Sequence, residues 1–75
     1  MTPELKTALR ELRRVRAMRP QDSASAVTFA GWREAIATAL DELAVHLLFP
    51  EDRLRAAAEA AAARDETAQL RSPPT

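Results

Sequence analysis

Proline punctuates this 75-residue chain at positions 3, 20, 50, 73 and 74, and glycine occurs once, at position 31. A proline inside a helix removes a hydrogen bond and clashes with the preceding turn, but it suits the first helical residue. The intervals between prolines therefore set the longest helices the chain can hold. A single glycine leaves little material for tight hairpin turns. Ala, Leu, Arg and Glu dominate those intervals, and all are strong helix formers. No apolar–polar alternation runs long enough for a strand. The sequence predicts an all-α fold of three helices, about 3–18, 28–48 and 51–69, within a single domain spanning 1–71 and followed by a disordered tail at 72–75.

The first helix has a defined start. Thr2 can accept from early backbone N–H groups, Pro3 fits the first position, and Glu4 suits the positive end of the helix dipole. Leu5, Ala8, Leu9, Leu12 and Val15 share one face. Lys6, Arg10, Arg13 and Arg14 fall roughly opposite. Pro20 disfavours a helical Arg19, so the helix stops near Met18.

Residues 20–26 read as a loop. Thr28 is a plausible cap for the second helix, with Val27 and Trp32 spaced for a hydrophobic staple; Ser25 is the alternative cap. Phe29, Trp32, Ile36, Leu40, Leu43 and Leu47 then make one apolar stripe, widened by Ala37, Ala44 and Leu48. Glu34, Thr38, Asp41 and Glu42 fill much of the other face. The first two helices are long enough to pair as an antiparallel hairpin. Pro50 breaks the chain and can open a third helix almost without a loop, with Glu51 and Asp52 in its first turn. That helix has two large aliphatics, Leu54 and Leu70. Leu54, Ala57, Ala58 and Ala61 offer a smooth face to a partner helix.

About a dozen large apolar side chains make a small core for a chain of this length, and small domains in that position often oligomerise. The expectation is a homodimer in which the first two helices build a helical bundle. A monomer with the third helix folded back over the pair is the competing arrangement.

No cysteine is present, which excludes disulfides and thiolate metal sites and fits a reducing compartment. No secretory signal pattern and no apolar run of membrane-span length are visible. A cytoplasmic protein is expected. The basic residues are ten Arg and one Lys, and with the abundant Ala they indicate the high-GC coding bias of a bacterial or phage genome.

Catalytic patterns are missing. His46 is the one histidine, with Glu42 a turn before it and Glu51 and Asp52 beyond the break. One His without Cys is a poor metal set, and a local hydrogen bond to Glu42 is the plainer reading. Ser23, Ser25 and Thr28 have no glycine-rich elbow, and Gly31 alone cannot build a phosphate loop. No enzyme activity, cofactor or metal is expected.

Net charge is zero but segregated: +4 over residues 1–19, −5 over 20–52 and +1 over 53–75. Lys6, Arg10, Arg13 and Arg14 could meet phosphates or an acidic partner. No helix-turn-helix accompanies them, since the gap to the second helix is too long and that helix is acidic outside. A membrane role is weaker, because the apolar face of the first helix is small and lacks aromatics. Phe29 and Trp32 could anchor a partner, but their periodicity continues into the core stripe. The sequence thus points to a small non-catalytic protein–protein interaction or accessory protein acting through helix packing, with a nucleic-acid-associated regulator using the first helix as the alternative.

Overall fold

The computed structural model describes residues 1–72. It contains three helices, α1 (Pro3–Ala17), α2 (Ala26–His46) and α3 (Pro50–Arg71), and no strand among the described residues. The predicted disorder at 73–75 lies outside them. Ser72, placed in that tail from sequence, is instead the C-cap of α3: its N–H and its Oγ both donate to the Ala68 carbonyl, at 3.0 and 2.8 Å.

The ends of the helices follow local chemistry. Thr2 caps α1 by accepting from the Leu5 N–H at 3.1 Å, as its sequence position implied. α2 begins two residues earlier than predicted because Ser25, not Thr28, is the cap. Ser25 has extended backbone angles and its Oγ accepts from the Thr28 N–H at 3.2 Å. The staple that depended on a Thr28 cap does not form, and Val27 is exposed. α2 also ends two residues early, at His46. Phe49 precedes a proline and is held extended, and Leu47 has already left the helix with ψ 138°. Pro50 is the first residue of α3, which continues through Arg71 because no breaker intervenes before Pro73.

α2 is the central helix, with α1 packed on one side and α3 on another. Both pairings are antiparallel. The Trp32 indole N–H donates to the Val15 carbonyl at 2.8 Å and pins the end of α1 to the start of α2. That carbonyl lies in the last turn of α1 and also accepts from the Met18 N–H at 3.1 Å, so the two donors share it. The α1 side of the core contains Ala8, Leu12 and Val15, with Leu5 and Leu9 half-buried beside them. Against them stand Ile36, Ala39, Leu40 and Leu43 of α2.

The α2–α3 seam is made of alanine. Ala30, Ala37 and Ala44 recur every seventh residue along α2. Ala56, Ala60, Ala63 and Thr67 form a matching buried stripe on α3. Ala37 and Ala63 are both 0% exposed. Such small side chains let two backbones approach closely. Thr67 Oγ1 consequently reaches both its own helix at the Ala63 carbonyl (2.9 Å) and the Ala30 carbonyl of α2 (3.4 Å). Ion pairs flank the seam: Arg64 with Glu34 and Asp41, and Arg33 with Glu66. Arg33 Nε lies 2.9 Å from Glu66 Oε2 but is not aligned for a hydrogen bond, so this is a coulombic contact on a buried atom. The acidic face assigned to α2 is therefore largely a docking strip for α3.

The backbones of α1 and α3 do not meet. Arg16 and Glu59 bridge them at 3.1 Å, with open depressions of about 370 and 250 Å³ on either side of that pair. Overall extents of 45 × 22 × 13 Å describe a flat, open wedge rather than a closed bundle. The third helix thus folds back on its own chain, but against α2 and not over the α1–α2 pair.

Candidate interaction surfaces

Two surfaces remain after the helices have packed. The first lies around the α2–α3 connection. Leu47, Leu48 and Phe49 join the helices in three residues, too short a path for every apolar side chain to turn inward. The Leu47 carbonyl is tied down by Arg53 Nε at 2.6 Å, and Leu47 itself packs against the core. Val45, Leu48, Phe49 and Leu54 point outward, at 68, 76, 62 and 71% exposure. Leu48 was assigned to the core stripe from sequence. It belongs to the surface because the helix ends before reaching it.

This apolar end runs on into the outer face of α3. At about 100° per residue, Leu54, Ala57, Ala58 and Ala61 share one face, and all four are exposed. The buried stripe at Ala56, Ala60, Ala63 and Thr67 faces the other way, onto α2. Across the two turns from Leu54 to Ala61 the outer face carries no charged residue. Contiguous exposed apolar surface of this kind marks interaction sites more often than isolated exposed leucines do.

The second surface is the basic side of α1. Lys6, Arg10, Arg13 and Arg14 are all exposed, but they are not equivalent. Arg14 makes a bidentate pair with Glu11, its Nε at 2.9 Å from Oε2 and its NH2 at 2.5 Å from Oε1, and it also contacts the Met18 sulfur. That hydrogen-bonded pair lowers the Glu11 pKa and raises that of Arg14. Lys6, Arg10 and Arg13 have no ion-pair partner among the described residues. The difference is written in the spacing: Arg14 has an acid three residues before it, whereas the other three have none at three or four residues on either side.

His46 Nε2 lies 3.2 Å from Glu42 Oε1, the local i, i+4 contact anticipated from sequence. No group of three His, Cys, Asp or Glu side chains stands close enough to hold a metal among the described residues. Phe29 and Trp32 meet edge to face at 6.4 Å, and Arg19 and Arg33 lie over their rings at 5.6 and 5.7 Å. Trp32 packs against the core and Phe29 is half-buried beside it. No helix among the described residues is long and apolar enough to cross a membrane. No protein-family model, curated protein or solved structure matches the chain.

Proposed function

We propose that this chain is a small non-catalytic interaction protein, an accessory or regulatory factor that works by helix packing, and that its first partner is a second copy of itself. The observation that carries this reading is the apolar end formed by Val45, Leu48, Phe49 and Leu54, continuous with the uncharged alanine face at Ala57, Ala58 and Ala61. Phe49 is the natural anchor, since aromatic side chains dominate interface energies and this one has most of its surface in water. Ala57, Ala58 and Ala61 then allow a facing helix to approach closely, as Ala37 and Ala63 do inside the molecule.

A second copy is the occupant that the charge pattern favours. A two-fold interface brings a patch against itself, so any net charge on it would be repelled. The strip from Leu54 to Ala61 has none, whereas the basic side of α1 could not meet itself without that repulsion. The dimer proposed here differs from the one expected from sequence: it is built from the outside of α3 and the α2–α3 turn, not from the faces of α1 and α2. Sedimentation velocity tests it. Self-association should appear as concentration rises and be lost in Phe49→Ser, while circular dichroism stays helical. A single 8.3 kDa species at every concentration would overturn the self-pairing.

A further inference from the structure

The basic side of α1 carries an inference independent of the apolar patch. Seven of the eleven basic side chains are occupied within the chain. Arg14, Arg16, Arg19, Arg33, Arg55 and Arg64 sit in ion pairs, and Arg53 holds the Leu47 carbonyl. Among those without an acidic partner, Lys6, Arg10 and Arg13 stand on one helix at spacings of four and three residues. They fall within about 60° of one another around the axis, at intervals of about 6 and 4.5 Å along it. Glu4, the remaining acid of α1 outside the Glu11–Arg14 pair, lies on a different side of the helix.

We infer that Lys6, Arg10 and Arg13 form a contact strip for the phosphate backbone of double-stranded nucleic acid, bound without regard to sequence. The duplex presents one negative charge per ~1.7 Å of its axis, a density that rewards a short row of uncompensated cations through counterion release. The two guanidiniums suit phosphate oxygens, which they can engage through paired N–H groups. A lipid surface is a poorer match. Membrane-lying helices insert an apolar face beside their cations, and the apolar residues of α1, Leu5, Leu9, Leu12 and Val15, are already packed in or against the core. Contacts to phosphate fix position on a duplex and carry no base information, so binding through them is indifferent to sequence.

The number of cations sets the expected result. Three phosphate contacts give a slope of about −2.7 for log affinity against log salt, so raising salt from ~50 to ~200 mM weakens binding roughly 40-fold. Fluorescence anisotropy with a random-sequence DNA duplex reads this directly. Arg10→Gln or Arg13→Gln should each flatten the slope by about 0.9, Arg14→Gln should leave it unchanged, and the triple change at Lys6, Arg10 and Arg13 should abolish binding. Circular dichroism checks that the variants keep their helices. Absence of binding at ~50 mM salt would overturn the inference, as would a slope indifferent to these changes. Equal or tighter binding to phosphatidylserine vesicles, or to polyglutamate, would overturn it in favour of a membrane or an acidic protein.

Discussion

Replacing Ala63 by leucine inserts three heavy atoms into the α2–α3 seam at a residue that is 0% exposed. Its neighbours cannot retreat cheaply. Ala30 and Ala37 are as completely buried, and Thr67 is held to both the Ala63 and Ala30 carbonyls. The added volume must push the two backbones apart, lengthening the 3.4 Å contact from Thr67 and loosening the ion pairs of Arg64. Overpacking of this kind costs about 1–3 kcal/mol. A chain of this size has roughly 4–11 kcal/mol of total stability, so the loss is a substantial share. In a thermal melt it should lower the midpoint by roughly 4–8 °C per kcal/mol. Ala57→Leu is the control. It changes the same helix by the same atoms, but on the exposed side, where surface substitutions stay within about 0.5 kcal/mol. Both melts should be followed by circular dichroism at low protein concentration, so that the enlarged outer face of Ala57→Leu does not register as self-association. Parent-like melting of Ala63→Leu beside a destabilised Ala57→Leu would mean instead that α3 packs through its other face.

Two further outcomes test local chemistry. Ser25→Ala should destabilise the fold by about 0.5–2 kcal/mol in chemical denaturation through loss of the α2 cap, and Thr28→Ala should cost less; the reverse order would restore Thr28 as the cap. The hydrogen bond and charge of Arg14 hold the Glu11 carboxyl below its ordinary value of 4.5. The stabilisation it provides is present above that ordinary value and is lost as pH falls through the lowered one. An NMR titration should therefore place the Glu11 midpoint below 4.5, and Arg14→Gln should return it there. The pair lies on the surface, its side chains 60 and 47% exposed, so added salt should shrink the difference; a midpoint unmoved by Arg14→Gln would contradict the bond.

The three helices and their breaks were legible because prolines act locally. Pro3 and Pro50 each fix a first helical residue, and Pro20 and Pro73 bound the preceding segment through their effect on the residue before them. Thr2 was legible for the same reason. The choice between Ser25 and Thr28 was not, since both can cap and nothing within three or four residues separates them. The orientation of α3 was the largest gap. An alanine-rich helix has nearly the same apolarity all round, so a periodicity argument cannot tell Ala57, Ala58 and Ala61 from Ala56, Ala60 and Ala63. Information was present at longer range. Ala30, Ala37 and Ala44 repeat with the same period of seven as Ala56 with Ala63 and Ala60 with Thr67, and Arg64 was available to answer Glu34 and Asp41. Reading it required pairing two helices at once. Leu48 was hidden for a different reason: a stripe extrapolated to its end takes no account of the helix stopping at His46. The inequality between Arg14 and its basic neighbours, by contrast, needed only the position of Glu11.

One face of α3, at Ala56, Ala60 and Ala63, is committed to α2, and another, at Ala57, Ala58 and Ala61, is exposed. The most direct measurement is the solvent accessibility of its alanine methyl groups, read by NMR with a soluble paramagnetic probe at several protein concentrations. Ala56, Ala60 and Ala63 should be protected throughout. Ala57, Ala58 and Ala61 should be accessible in dilute solution and lose that access as the protein self-associates. Protection of Ala57, Ala58 and Ala61 already at the lowest concentration would contradict the packing, and unchanged accessibility in a sample shown to be dimeric would contradict the proposed interface.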